Sequence, residues 1–470
     1  MKGLHNSLVV FYTNLYIDLY LDVTEQFQIS ATESKRDVDE ILRRVSYEGL
    51  SFLTITLPRL GKALDSALSG ETKFTLEGFQ KKRSSQLPKF MGELLKLVFE
   101  DSGLLKDHPD LGAIRALRQL AYVLYKLETP MAESKTQKVL DSFVDVDEEL
   151  AQLVIEDDKL LETSRRFTSA VFGAFDHAEV VPRHGPGAVA TGEGPAQKQD
   201  FKRLYKPIEK VYPFTEYYQY SLMHVADNYR NYENLDELEG GTAKVVLVPK
   251  DSRGPRLISC EPLEYQWIQQ GLGRKITRHL ERHRLTSGHV NFTDQTINRN
   301  LALEGSLTQE WVTLDMKEAS DRVSLQLVEK LFAYCPRLLE ALKATRSQST
   351  VLPDGRTVNM NKFAPMGSSL CFPVEAYVFY TLAVSAIQYT YGIKRREALK
   401  SVYVYGDDLI IRSKVYAAVL QHLPRFGLMF NAGKCCTSGF FRESCGCDAY
   451  KGVDVTPLRM KWCDIDTLVG

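Results

Sequence analysis

The sequence has almost no net charge, because 59 lysines and arginines stand against 60 aspartates and glutamates and the pI is about 6.8. This balance excludes a protein that holds nucleic acid through its overall charge, so such a partner must bind a local basic surface. Internal repeats and low-complexity tracts are also lacking. The 470 residues, with 44% hydrophobic and 25% charged content, predict an ordinary globular protein of two to four domains.

The eight cysteines lack the even spacing of a disulfide framework. Met1–Asn6 shows no apolar stretch with a small-residue cleavage site, so we expect no secretory signal and reduced thiols in a cytoplasm. Cys435, Cys436, Cys445 and Cys447 lie close together in the sequence, but without paired Cys-x₂-Cys spacing. Small buried thiols are therefore the preferred interpretation, and a zinc site is the alternative.

Long hydrophobic runs are scarce. Ala376–Ile393 has no charged residue and reaches the length of about 18 residues that a membrane span requires. It contains four tyrosines and several other polar residues, and Glu375 precedes it directly. A buried core helix is therefore predicted, with no membrane contact.

Residues 1–175 are predicted to be mainly helical. Phe90–Phe99 and Arg115–Lys126 carry apolar residues at three- and four-residue spacing, which is typical of amphipathic helices. No catalytic grouping of side chains is found in this part of the sequence. It is therefore interpreted as a helical scaffold.

The pattern changes near residue 180. Val181–Ala188 contains two prolines and two glycines and predicts a loop. Lys244–Pro249 predicts a strand that leads into a basic turn, and Tyr265–His283 predicts a helix. Between Lys244 and Arg284, nine lysines and arginines stand against four acidic residues. This is a local basic patch, although a solvated helix face explains its helical part equally well.

From Gln309 onward the pattern becomes strand, helix, loop, helix and hairpin. The predicted elements are a strand over Trp311–Leu314 that ends at Asp315, a helix over Val323–Tyr334, a loop at Met366–Ser369, a helix over Phe372–Tyr391, and two strands over Val402–Tyr405 and Leu409–Ile411. The last two strands flank Gly406-Asp407-Asp408, as expected of a β-hairpin.

The acidic turn is the sharpest chemical signal. Asp407 and Asp408 are adjacent at the tip of an apolar hairpin, where both carboxylates can approach one cation. Adjacent carboxylates repel each other, and a bound divalent ion makes the ionisation of both tolerable. A solvated turn is the alternative, because glycine and aspartate are common turn residues.

A third carboxylate follows the predicted strand at Asp315. If that strand and the hairpin share one sheet, Asp315, Asp407 and Asp408 can surround two Mg²⁺ ions about 4 Å apart. Such a pair activates a 3′-hydroxyl and neutralises the leaving pyrophosphate, and oxygen ligands suit Mg²⁺. Asp321 lies six residues further on, where the alternative is a residue that favours a helix N-terminus.

Several segments between about Arg183 and Pro457 together resemble the replicase catalytic subunit of the single-stranded RNA bacteriophages, the levivirus-like group. The matching segments are Val248-Pro249-Lys250 with Arg253 and Arg256, Glu261-Pro262, Asn291–Gln295 with Asn298, Asp315–Asp321, Met366-Gly367, Tyr405–Asp408, Phe441–Gly446 and Gly452–Pro457. The last two are the most specific to that family.

The resemblance implies an α+β right-hand fold with fingers, palm and thumb, built on an antiparallel palm sheet. Residues 1–175 would form a helical region that belongs to a bridge between fingers and thumb, and 176–308 the fingers with a basic nucleotide-entry segment. Residues 309–457 would form the palm with the catalytic aspartates. Residues 458–470 are too few for a helical thumb, so they are expected to be its start or a truncated C-terminus.

The resemblance also implies primer-independent copying of viral RNA by an RNA-directed RNA polymerase in the cytoplasm of the infected bacterium. Two Mg²⁺ ions are the expected cofactors, with Mn²⁺ as a substitute. The expected partners are a single-stranded RNA template, the nascent RNA and ribonucleoside triphosphates. Host translation elongation factors and a ribosomal protein are implied as further partners.

The incoming nucleotide is assigned to two groups of residues. Lys250, Arg253 and Arg256 would hold the triphosphate, because arginine offers a fixed fork to phosphate oxygens and lysine a mobile charge. Asp321 and Ser368 would recognise the ribose 2′-hydroxyl. The sequence departs from the family here, since the family has asparagine after Met-Gly and small residues where this chain has Lys317-Glu318.

The resemblance assigns Lys434 to the protonation of pyrophosphate, and a surface lysine is the alternative. His184, Gly185, Gly187 and Gly367 are assigned to the template, because glycine lets a backbone approach phosphate closely. For the loop at residues 184–187, a purely structural role is equally compatible with the sequence.

Two other functions remain open. A reverse transcriptase shares the palm and the two metals, but the glycine in the turn, Asp321 and the downstream segments argue against it. A non-catalytic RNA-binding protein with a decayed palm is opposed by the intact Asp315, Asp407 and Asp408.

Overall fold

Helices occupy most of the chain before residue 175, as predicted. The computed structural model describes residues 2–70, 72–128, 133–219, 223, 226, 232, 234–251 and 254–461. The first seven helices are α1 Lys2–Gln26, α2 Ala31–Glu48, α3 Leu57–Leu68, α4 Gly92–Val98, α5 Leu111–Tyr122, α6 Glu133–Ala151 and α7 Lys159–Phe172, with a π-helical turn at Phe52–Thr56.

Several of these helices are capped at the N-terminus by a short polar side chain. Ser30, Asp110 and Asp158 each accept a hydrogen bond from the backbone N–H three residues further on, which satisfies a donor that the helix itself leaves unpaired. The predicted helix at Phe90–Phe99 is shorter than expected, because Met91 adopts a left-handed conformation with φ of 53° and the helix begins at Gly92.

The remaining α-helices are α8 Lys206–Val211, α9 Phe214–Tyr217, α10 Leu263–Arg282, α11 Thr296–Thr308, α12 Ala319–Arg322, α13 Leu325–Leu331, α14 Pro336–Ala344, α15 Cys371–Tyr391, α16 Arg395–Leu399 and α17 Tyr416–His422. Short 3₁₀ helices lie at Pro195–Gln197, Leu423–Phe426 and Ala432–Lys434. The predicted loop at residues 181–188 contains neither helix nor strand.

The strands are β1 Arg203–Tyr205, β2 Asp236–Leu238, β3 Thr242–Asp251, β4 Gly254–Cys260, β5 Val290–Asn291, β6 Trp311–Lys317, β7 Ser349–Val351, β8 Thr357–Asn359, β9 Val402–Tyr405, β10 Asp408–Arg412, β11 Met429–Phe430, β12 Phe441–Ser444, β13 Cys447–Tyr450 and β14 Val453–Asp454. They form four sheets, ordered β1-β2, β4-β3-β7-β8, β11-β6-β10-β9-β5 and β12-β13-β14. This mixture of helices and sheets confirms the α+β class.

The five-stranded sheet carries the predicted hairpin. The expected antiparallel pairing is confirmed for β11 with β6, β6 with β10 and β10 with β9. It is wrong for β5, which pairs in parallel with β9. Parallel pairing is possible there because a long stretch of chain connects these two strands. Strand β6 is also longer than predicted, since its end at Met316 and Lys317 pairs with β11.

Two large hydrophobic clusters form most of the core. The larger one surrounds α15 and the buried faces of β6, β9 and β10. The other joins α1–α5 to residues of the C-terminal strands, including Phe441 and Tyr450. The C-terminal strands therefore pack on the N-terminal helices.

Helix α15 is confirmed as a core helix. By length and composition it is the one helix in the described part of the chain that could cross a membrane, but 89% of its most apolar window is buried inside the protein. Long apolar helices of this kind are common at the centre of globular proteins, so the feature is weak evidence for a membrane.

Candidate active site

Asp315 and Asp408 are brought together by strand register. In the antiparallel pair of β6 and β10, Asp315 lies directly opposite Asp408. Residues directly opposite each other point to the same face of a sheet, with Cβ atoms about 5 Å apart. The predicted condition, one sheet shared by the strand and the hairpin, is therefore met. Apolar pairs further along the two strands hold this register, since Leu314 lies opposite Leu409 and Val312 opposite Ile411, and all four side chains are buried.

The turn that presents Asp407 is tightly constrained. Gly406 has a φ of 61°, which glycine adopts at no steric cost. A Cβ atom at this position would lie 2.1 Å from Cε2 of Phe372, so there is also no room for a side chain. The Phe372 ring packs edge-on against Tyr405, whose hydroxyl donates to the Phe292 carbonyl oxygen at 2.9 Å. These contacts hold the turn in one orientation.

The pKa values of Asp407 and Asp408 are raised by their surroundings. Asp407 is exposed at the tip of the turn, but the protein around it raises its pKa by desolvation, and the charge of Asp315 raises it further. Burial raises the pKa of Asp408 to about 6, with a further contribution from Asp407 that the backbone N–H of Cys445 opposes. The group therefore has an excess of negative charge that a cation would neutralise.

Asp315 and Asp408 are oriented by neighbouring donors. Lys434 Nζ lies 3.3 Å from Asp315 Oδ1, and the Asn431 side chain donates to Asp315 Oδ2 at 3.0 Å. The Cys445 backbone N–H donates to Asp408 Oδ2 at 2.8 Å. Burial on its own lowers the pKa of Lys434, but the charges of Glu443 and Asp315 raise it overall, so the ammonium form is favoured.

Sequence reasoning missed two of these donors. Asn431 stands three residues before Lys434, in a segment where the resemblance assigns a role to the lysine alone. Cys445 donates to Asp408 through its backbone N–H and not through its side chain. The backbone of Cys445 is left-handed, with a φ of 49°, in the turn next to Gly446. Neither the conformation nor the direction of the N–H could be read from the residue types.

A divalent cation fits this group by its chemistry. Asp315, Asp407 and Asp408 offer the hard oxygen ligands that Mg²⁺ prefers, and their mutual repulsion is the condition that a bound cation relieves. Within the described ranges, no three His, Cys, Asp or Glu side chains lie close enough together to form a ready-made metal site.

Two of the predicted triphosphate residues, Lys250 and Arg256, lie on the paired strands β3 and β4. Lys250 is exposed near the end of β3. Arg256 is exposed on β4, and its charge favours the ionised form of Asp407, which places it near the acidic turn. Arg253 lies outside the described residues.

The two residues predicted to recognise ribose differ in their surroundings. Asp321 lies in α12, and its Oδ1 is 3.4 Å from Nζ of Lys362. Ser368 is buried, and its hydroxyl donates to Gln269 Oε1 at 3.1 Å. The hydroxyl proton of Ser368 is therefore engaged within the protein.

The predicted template loop is anchored internally. The His184 ring packs against Trp267 and Phe201, with centroid distances of 4.4 and 5.8 Å. Lys198 Nζ donates to the carbonyl oxygens of Gly185 and Gly187, at 2.7 and 2.6 Å. Burial, followed by the charge of Lys198, lowers the pKa of His184 to about 4, so its ring is neutral near pH 7.

The close packing of the loop at residue 367 against β4 requires a glycine at this position. It has a φ of 121°, and a Cβ atom there would lie 2.2 Å from the Ser259 carbonyl oxygen on β4. The glycine thus lets the loop before α15 lie against β4. A role in template contact is compatible with this position, because Gly367 itself is exposed.

The burial predicted for the four clustered cysteines is found for three of them. Cys435, Cys436 and Cys447 are buried, Cys445 is half-buried, and all four are free. The Sγ atom of Cys435 lies 3.7 Å from the Asp315 carbonyl oxygen. The zinc alternative has no support among the described residues.

Comparison with known proteins gives one matching family and several relatives. The model of the family described as "RNA replicase, beta-chain" matches residues 209–469. The chain is 38% identical over 218 residues to the RNA-directed RNA polymerase subunit beta of Escherichia virus Qbeta, which covers 46% of this chain and 35% of that protein.

Two further relatives give the same result. The RNA-directed RNA polymerase subunit beta of Enterobacteria phage SP is 36% identical over 218 residues, or 46% of this chain and 36% of the relative. The RNA-directed RNA polymerase beta chain of Escherichia phage MS2 is 35% identical over 217 residues, or 46% and 37%. The chain thus matches little more than a third of each relative's length.

Proposed function

The chain belongs to the RNA replicase beta-chain family, and from that premise we propose that it is an RNA-directed RNA polymerase that copies single-stranded RNA. The family matches the resemblance seen in the sequence. The observation that carries the proposal is the direct pairing of Asp315 with Asp408, beside the exposed carboxylate of Asp407.

The proposed chemistry is nucleotidyl transfer assisted by two Mg²⁺ ions, for which Mn²⁺ could substitute. Asp315, Asp407 and Asp408 would hold the metal, which supplies a polarised 3′-hydroxyl and neutralises pyrophosphate charge. Lys434 is favoured in its ammonium form beside Asp315 and would donate a proton to the leaving pyrophosphate. Arg256 and Lys250, with Arg253, would attract the triphosphate.

The nucleotide and the template would meet at this face of the sheet. Asp321 and Ser368 would recognise the ribose 2′-hydroxyl, with the Ser368 hydroxyl as an acceptor because its proton is donated to Gln269. The loop of His184, Gly185 and Gly187 and the exposed Gly367 would line the template path, where glycines allow close approach of phosphates.

In this proposal, residues 309–457 form the palm, 176–308 the fingers and 1–175 the bridge between fingers and thumb of a right-hand polymerase. Primer-independent initiation, replication in the cytoplasm of the host bacterium, and recruitment of host translation factors and a ribosomal protein follow from the family resemblance. Purification from infected or expressing cells under gentle conditions would identify such partners.

RNA-templated synthesis by the full chain tests the proposal. The wild-type protein should incorporate ribonucleotides on a single-stranded RNA template in the presence of Mg²⁺, and Asp407→Asn should abolish synthesis while RNA binding persists. Glu310→Gln is the matched control, because Glu310 is an exposed carboxylate immediately before β6 that pairs with Arg412. Unchanged synthesis by D407N would refute the mechanism. Incorporation of deoxynucleotides alone would favour a reverse transcriptase.

A further inference from the structure

Lys362 is a lysine with no exposed surface. Its side chain is 0% exposed, whereas Asp321, its ion-pair partner, is 26% exposed. A lone ammonium group in such a position would be very costly, so buried lysines require specific partners. The function proposed above gives Lys362 no role.

Three contacts compensate the buried ammonium group. Lys362 Nζ donates to the Phe143 carbonyl oxygen at 3.0 Å and lies 3.4 Å from Asp321 Oδ1. It also lies 3.3 Å from the centroid of the Phe143 ring, in a cation–π contact. Phe143 belongs to α6, so this lysine connects the N-terminal helices to the residue proposed to recognise ribose.

The backbone around Lys362 is equally fixed. The buried Asp147 carboxylate accepts hydrogen bonds at 3.0 Å from the backbone N–H groups of Asn361 and Lys362. The buried Arg346 guanidinium donates to the Lys362 carbonyl oxygen at 3.0 Å. The ammonium group therefore has little freedom to move.

Residues 361–363 also hold the backbone that follows Asp321 through hydrogen bonds. Phe363 N–H donates to the Val323 carbonyl oxygen, and Leu325 N–H donates to that of Asn361, both at 2.7 Å. Asp321 itself lies in α12, four residues after the end of β6, which carries Asp315. Both the side chain and the backbone of Asp321 are thus held relative to the acidic site.

We propose that Lys362 is a positioning residue for sugar selection, which holds Asp321 so that its second carboxylate oxygen faces the ribose 2′-hydroxyl of the incoming nucleotide. The inference rests on the proposed polymerase function. Lys362 touches neither nucleotide nor metal in this scheme. It acts by engaging Oδ1 of Asp321, which leaves the other carboxylate oxygen, Oδ2, to accept from the 2′-hydroxyl.

The test is the ratio of kcat/KM for a ribonucleotide to that for its 2′-deoxy analogue, measured with the full chain on an RNA template. Lys362→Met keeps the length of the side chain and removes the charge. We expect the ratio to fall about tenfold through a higher KM for the ribonucleotide, the size of effect that loss of one hydrogen bond to a charged group produces. Lys343→Met is the control, because Lys343 forms an exposed pair with Glu329.

A double-mutant cycle separates positioning from general support of the fold. If Lys362 acts through Asp321, the double variant K362M/D321N should show the same ratio as D321N alone. Additive effects of the two substitutions would overturn the proposal. So would equal losses for ribonucleotide and deoxynucleotide, which indicate only a damaged fold.

Phe143→Leu serves if Lys362→Met fails to fold. It removes the ring beneath the ammonium group but keeps the carbonyl acceptor, so the ratio should fall by about threefold. An unchanged ratio in F143L would overturn the proposal. Failure of the polymerase function itself is distinguishable, since the wild-type chain would then incorporate no ribonucleotide at all.

Discussion

Asp315 and Asp408 face each other across two hydrogen-bonded strands, although 92 residues separate them in the chain. Like charges at directly opposite positions destabilise a sheet. The fold keeps this pair because apolar residues on β6 and β10 set the register, with Leu314 opposite Leu409 in the next pair. The pair of like charges therefore destabilises the sheet locally, at the site proposed for catalysis.

Asp408→Asn should stabilise the metal-free protein while it abolishes synthesis. The pKa of Asp408 is raised to about 6, so at pH 8 the fold holds an ionised carboxylate that it disfavours, and the amide removes that charge. In EDTA at pH 8 we expect the Tm to rise by about 2 °C or more. Differential scanning calorimetry in EDTA measures the Tm, and ribonucleotide incorporation on an RNA template measures synthesis.

The same calorimetry, repeated with Mg²⁺, tests metal binding. Mg²⁺ should raise the Tm of the wild-type protein, because a ligand that binds the folded state alone stabilises it. The rise should be absent in D408N and retained in E310Q. Equal stabilisation of D408N by Mg²⁺ would show that the ion binds elsewhere.

Lys434→Met should lower kcat by about 10²-fold with little change in KM, because the proposed proton donor acts on the leaving group rather than in binding. Single-turnover incorporation of one nucleotide measures the step directly. Lys414→Met is the control, since Lys414 is an exposed lysine just after β10. A rise in KM with unchanged kcat would instead assign Lys434 to nucleotide binding.

Gly406→Ala should be much more harmful than Gly392→Ala. Both glycines have similar backbone angles, with φ of 61° and 63°, so each alanine costs about 1–2 kcal/mol of backbone strain. Only Gly406 also meets Phe372, whereas a Cβ at Gly392 meets nothing within 4 Å. We expect a lower Tm and loss of synthesis for G406A, with partial recovery in G406A/F372L. Equal Tm values for G406A and G392A would contradict the packing argument.

Glu375→Gln should change how stability depends on pH. Burial, followed by the charge of Asp407, raises the pKa of Glu375 to about 8. Between its ordinary pKa and about 8, the unfolded chain ionises this group while the folded chain keeps it protonated, so wild-type stability falls as pH rises. Glutamine does not ionise, and E375Q should therefore gain Tm relative to wild type from pH 5 to pH 8. Parallel pH profiles of the two proteins would refute this.

Arg118→Met should cost about 3 kcal/mol of stability, because it removes the buried cation that Asp65 and Asp448 share and leaves Arg459 to pair with Asp448. Arg118 is 1% exposed and pairs with Asp65 and Asp448, which joins α3 and α5 to β13. Arg356→Met, at an exposed pair with Asp354, should cost about 1 kcal/mol or less. Thermal unfolding of both variants measures the two losses of stability. Similar losses would mean that the buried network contributes little.

The sequence predicted the local elements well because each depends on neighbouring residues. The hairpin, the loop at residues 181–188 and the core helix α15 follow from apolar spacing, prolines and glycines. The misses have a shared cause. The parallel pairing of β5, the extension of β6 to Lys317 and the left-handed start of α4 depend on partners that are distant in the chain.

The residue types and their order supplied the parts of the proposed site, which are three aspartates, a nearby lysine, a basic segment and an apolar frame to hold them. Only the tertiary structure decided which atoms meet, because strand register and buried polar contacts join segments far apart in the chain. It placed Asp315 opposite Asp408, gave Asp408 the N–H of Cys445, and put the charge of Lys362 against Asp321. No periodicity of residue types records such pairings, since each depends on how separate elements pack.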